Sequence, residues 1–102
     1  MAQTRLEEEF RRFHEANPHV WEKFRRFTFQ AIDAGREHLG VAMVWERLRW
    51  FSAFETKGEQ WKLNNNHRAY YARMFHEQYP HHDGFFRTRR VAGEDSGPDA
   101  EA

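Results

Sequence analysis

Apolar side chains recur at helical spacing in four stretches of the chain, and residues that start or stop helices bound each stretch. In the first, Leu6, Phe10 and Phe13 fall at i, i+4 and i+7 and predict a helix over Thr4 to Ala16. Thr4 with Glu7 three residues on reads as a capping box. Glu7, Glu8 and Glu9 ahead of Arg11 and Arg12 suit the helix dipole. Asn17-Pro18 then breaks and restarts the chain, with Asn as the cap and Pro in the first turn. Val20, Phe24, Phe27 and Ala31 make the next stripe, which Trp21, Thr28 and Ile32 widen; that helix is expected from Pro18 to about Arg36. Gly35 and Gly40 bracket the turn after it.

The third helix is expected over Val41 to Phe54. Val41, Val44, Trp45, Leu48 and Phe51 form its core face. Met43, Arg47, Trp50 and Phe54 form a second stripe well round the helix, and a helix with two apolar stripes is either deeply buried or has a partner on its second side. Glu55 to Gln60 is a polar loop. Trp61-Lys62-Leu63 alternates like a very short strand. One of Asn64, Asn65 and Asn66 caps a fourth helix running to about Tyr79, where Pro80 ends it. His81 to Gly84 is a turn, and Phe85 to Val91 is a short strand or extended arm.

The pattern therefore predicts a mainly α, four-helix compact single domain over residues 1–91, in helix order helix-turn-helix-like. At most a minimal two-stranded β element joins Trp61–Leu63 to Phe85–Thr88. Phe10, Phe13, Val20, Phe24, Phe27, Ile32, Val44, Trp45, Leu48, Phe51, Tyr71 and Phe75 are the expected core. Residues 92–102, rich in Gly, Asp, Glu, Ser and Pro, read as a disordered acidic tail.

Composition sharpens this picture. The 102 residues leave room for one core, and aromatics at 17% of the chain supply large rings to fill it. There is no cysteine, which excludes disulfides, thiolate metal sites and Cys nucleophiles and fits a cytoplasmic setting. No apolar run approaches the roughly 18 residues of a membrane span, and the acidic start lacks the apolar middle of a signal peptide. Formal net charge is +0, but unevenly placed. Glu94, Asp95, Asp99 and Glu101 crowd the end, so the rest of the chain is modestly basic. Most of its bases are Arg, the better fork for phosphate and carboxylate.

Five chemistries find partial support in these residues. Nucleic-acid contact draws on Asn65, Asn66, His67, Arg68 and Arg73 around the fourth helix, with Arg87, Arg89 and Arg90 after it. Arg forks phosphate or guanine, Asn pairs with adenine, and helix-start amides favour phosphate. Against it stand the weak net charge and the ordinary use of Asn as a cap. Protein association draws on Trp50, Phe54, Phe85 and Phe86, with Trp61, more aromatic surface than a small domain easily hides. A metal site at His76, His81, His82 and Asp83 lacks the paired ligands zinc prefers. A metal-dependent nuclease would need Glu55-Thr56-Lys57 and Asp33 on adjacent strands, whereas the pattern puts them in a loop and a helix. Ser52 and Ser96 lie in no nucleophile elbow, and no phosphate-cradling glycine loop occurs. No catalytic residue, cofactor, metal or small-molecule substrate is expected.

Ala16–Val20 (ANPHV), Val44–Trp50 (VWERLRW), Leu63–Phe75 (LNNNHRAYYARMF), Tyr79–Pro80 and Gly84–Arg90 (GFFRTRR) resemble a family of small bacteriophage and prophage proteins. That resemblance implies a bacterial cytosolic context and assigns no catalytic residue. In helix order the chain also resembles, more loosely, helix-turn-helix and winged-helix domains, although the gap before the fourth helix is longer than their tight turn. The expectation is a non-enzymatic DNA-binding protein of phage-like regulatory or accessory type. The alternative is a protein-interaction module, homodimeric or bound to a host or phage protein, and a metal-dependent nuclease is a distant third.

Overall fold

Thr4 opens α1 (Arg5–Ala16) with both halves of the capping box: its hydroxyl accepts from the Glu7 amide at 3.0 Å, and Glu7 accepts from the Thr4 amide at 3.1 Å. The computed structural model describes residues 4–87. Arg89, Arg90 and the acidic stretch 92–102 lie outside the described residues, as does most of the expected arm.

Asn17 joins α1 to α2 (Pro18–Asp33) differently from expectation. Its side chain does not cap α2; its amide donates to the Phe13 carbonyl at 3.0 Å and so closes α1 instead. Pro18 still occupies the first turn of α2, where its missing N–H costs nothing. The far end of α2 closes in a Schellman turn. The Gly35 amide donates to Ile32, the Arg36 amide donates to Ala31, and Gly35 takes φ +98°, which disfavours any side chain. The helix thus stops at Asp33, short of the expected Arg36.

α3 (Val41–Trp50) runs straight into a π-helical turn over Phe51–Glu55. Within that turn Ser52 is buried, and its hydroxyl accepts from the Trp61 amide, which pins the returning loop. The expected strand at Trp61–Leu63 does not form. Among the described residues the only strand-like pairing is one parallel bridge between Leu39 and Phe86. A 3-10 turn over Asn65–His67 leads into α4 (Arg68–Gln78), and Asn64 is the cap, accepting from the Asn66 amide at 2.8 Å.

The four helices close on rings. Tyr71 of α4 lies 4.9 Å from Phe10, 5.5 Å from Phe24 and 5.6 Å from Trp45, so one side chain meets all three other helices. Val20, Phe24, Phe27, Val44, Trp45, Leu48, Tyr71 and Phe75 are buried as expected. Phe10, Phe13, Ile32 and Phe51 pack half-buried at its margin.

Phe85 and Phe86, expected on an exposed surface, are core instead. Two bonds hold them in. The Leu39 amide donates to the Phe85 carbonyl at 3.0 Å, and the Phe86 amide donates to Nε2 of His76 at 3.1 Å. Phe86 then packs 5.5 Å from Phe24 and 5.8 Å from Phe75. Truncating a buried Phe removes its transfer energy and leaves a cavity. Phe86→Ala should therefore lower stability by about 3–5 kcal/mol in chemical denaturation, whereas an exposed ring would cost within about 0.5 kcal/mol.

Candidate interaction surface

Among the described residues, the outer face of α3 and its π-turn carries the exposed large hydrophobic side chains. Met43 is 65%, Trp50 56% and Phe54 70% exposed. At about 100° per residue Met43, Arg47 and Trp50 lie on one stripe, across the helix from Val44, Trp45 and Leu48, and Phe54 joins them from the π-turn. The Trp50 and Phe54 rings tilt together at 4.7 Å, so they present one continuous apolar surface. Arg47 lies between Met43 and Trp50 along the helix. Its guanidinium sits 4.3 Å over Phe27 and pairs with Glu55 at 3.1 Å, which ties the helix to its π-turn. An extra residue in a helical turn re-aims the side chains beyond it, and here the π-turn begins just after Trp50 and carries Phe54.

The start of α4 holds the residues expected to meet nucleic acid, and the structure separates them. Asn66 is exposed and Arg68 half-buried. Asn65 is exposed, but its side-chain oxygen accepts from Arg49, which also pairs with Glu46. Arg73 is half-buried and already engaged. Arg87 is exposed at the last described position. His67 is 4% exposed and cannot reach a ligand. Phe10 at 5.7 Å and Phe13 at 5.2 Å close over it from α1. Sequence reasoning missed Arg49 as a partner of the Asn run, because its i, i+3 spacing from Glu46 makes it look like an ordinary solvated pair.

Under α1 the core is unusually polar. Both ring nitrogens of His67, the Tyr71 hydroxyl, the Trp45 indole N–H and His14 Nδ1 are buried without a hydrogen-bond partner among the described residues. Burying such an atom without a partner costs the free energy of its hydration. Burial pushes the Tyr71 phenol up and the His67 imidazole down; for His67 the nearby Glu9 carboxylate offsets only part of that effect.

The remaining candidates are dispersed. His76 is spent on structure: Nε2 accepts from Phe86, and Nδ1 faces Asp83 at 3.7 Å. Burial lowers its pKa, opposed by Asp83. Among the described residues no three His, Cys, Asp or Glu side chains gather to hold an ion. Glu55 is paired to Arg47, and Asp33 ends α2. No described helix is long and apolar enough to cross a membrane. Comparison with protein-family models, curated proteins and solved structures finds no match for the chain.

The two lowered histidines set a sign for pH. Their ordinary pKa is 6.5, and both are below it in the fold, so on acidification the unfolded chain takes up protons first. Stability is therefore fully present above that value and falls as pH drops through it. A denaturation series from about pH 7.5 to about pH 5.5, above the carboxylate range, should show the loss. His67→Phe should raise stability and flatten the slope; an unchanged slope would remove His67 as a cause.

Proposed function

We propose that the chain is a small non-enzymatic interaction module of a cytoplasmic, phage-like type that pairs with a second copy of itself through the outer face of α3. The observation that carries this reading is the joint exposure of Met43, Trp50 and Phe54 on one stripe. Covering a large apolar side chain is worth about 1.5–3 kcal/mol, and Trp with Arg is the usual make-up of an energetic centre in an interface.

A like partner fits the stripe. Arg47 and Glu55 flank Trp50 and pair with each other within one copy. Two copies laid antiparallel about Phe51 set Arg47 of each opposite Glu55 of the other, so the pair can be exchanged between them. Such a contact is isologous, so one patch serves both copies. Three side chains cover less than the roughly 800 Å² per partner of a standard interface, so the pair should be weak and concentration-dependent.

Sedimentation equilibrium from about 1 μM to about 500 μM should show monomer giving way to dimer, and Trp50→Ala with Phe54→Ala should weaken it at least about tenfold. Both residues are exposed, so melting should barely change. A monomer across the whole range would overturn the reading.

A second reading, nucleic-acid contact at the start of α4, is favoured by one observation. Arg49 donates to Asn65 and so adds a guanidinium to the helix end that carries Asn66 and Arg68. If these groups meet phosphate, affinity for duplex DNA should fall steeply with salt. Arg49→Ala with Arg68→Ala should then lower the log–log slope by about 2. No binding at low salt would remove this reading.

A further inference from the structure

We propose that the groove between α2 and the end of α4 binds a small organic anion: a phosphate or carboxylate head on a flat apolar body. The sequence shows no sign of such a ligand, because the two walls of the groove come from stretches far apart in the chain. The groove has a volume of about 450 Å³ and is lined by Glu22, Lys23, Arg25, Arg26, Phe29 and Tyr79. That volume lies within the usual range of small-molecule sites. The site is separate from the outer face of α3 and does not depend on it.

One wall is aromatic. Phe29 and Tyr79 meet edge to face at 4.9 Å. Phe75 at 5.3 Å and His82 at 5.6 Å back the Phe29 ring, so the wall is set before a ligand arrives. The other side is cationic. Lys23 lends only its stem, since its ammonium lies 4.6 Å over Phe51, which leaves the two arginines. Arg26 is exposed and has no ion pair among the described residues.

Arg25 supplies the telling geometry. It donates from Nη1 to the Tyr79 hydroxyl at 3.1 Å and from Nη2 to the Glu22 carboxylate at 2.6 Å. Because the Tyr79 oxygen accepts, its own O–H is left as a donor. The Glu22 side chain is 64% exposed, and an exposed ion pair of this kind is weak and easily exchanged. Glu22 therefore stands where a ligand oxygen would sit. An incoming anion displaces it from Arg25, takes a second cation from Arg26 and a hydrogen bond from Tyr79, and lays its flat body on the aromatic wall.

The displacement gives the test an unusual sign. Adenosine monophosphate, titrated into the full chain and followed by amide shifts in NMR, should bind in the millimolar range. It should bind severalfold more tightly to Glu22→Gln and severalfold more weakly to Arg26→Ala. Adenosine and inorganic phosphate should each bind more weakly than the monophosphate. Benzoate distinguishes a carboxylate head from a phosphate head, and the same dependence on Glu22 with either supports the site. Thermal melts check that the variants fold. No binding of either probe to Glu22→Gln up to about 10 mM would overturn the proposal. So would binding that Glu22→Gln fails to tighten, binding that Arg26→Ala leaves unchanged, or adenosine binding as well as its monophosphate.

Discussion

The fold depends on the ring of Tyr71. It is fully buried and touches Phe10 and His14 of α1, Trp21 and Phe24 of α2, and Trp45 of α3. Short aliphatic side chains could not bridge four helices in so small a domain; a large flat ring can. The arrangement has a cost. Among the described residues the hydroxyl of Tyr71 finds no partner, nor do the nitrogens of His67. The core thus gains its area from aromatic rings and gives back part of that gain through their polar atoms.

That hub also decides which surface is left over. Trp45 points inward to Tyr71, and α3 is pressed against α2 and α4 by its Val44, Trp45 and Leu48 side. On the opposite side Arg47 alone reaches back to α2 and the π-turn, and Met43 and Trp50, with Phe54 of the π-turn, remain exposed. The π-turn after Trp50 extends this face, while Ser52 inside the turn anchors the loop that leads to α4. Core and proposed contact surface are thus two sides of one helix.

Much of this is legible in the sequence. The Thr4–Glu7 box, Pro18, Gly35 and the Asn run mark the helix ends, and apolar spacing finds both the inner and the outer stripe of α3. The features that escape it depend on partners distant in the chain. Phe85 and Phe86 stand beside Arg87 and look like a surface arm. Their burial comes from hydrogen bonds to Leu39 and His76, which no local pattern records. His67 comes after an Asn run and looks like a polar helix start, yet Phe10 and Phe13 close over it. The strand expected at Trp61–Leu63 fails because the Trp61 amide goes to Ser52 rather than to a ladder. The π-turn leaves no composition signature at all.

The pairing of two copies through the outer face of α3 is open to a direct optical test. Iodide quenching of tryptophan fluorescence addresses it directly, since Trp21 and Trp45 are buried and Trp50 is the most exposed of the four indoles. A readily quenched component in dilute protein should become protected as the chain is concentrated. Equal quenching at both extremes would contradict it.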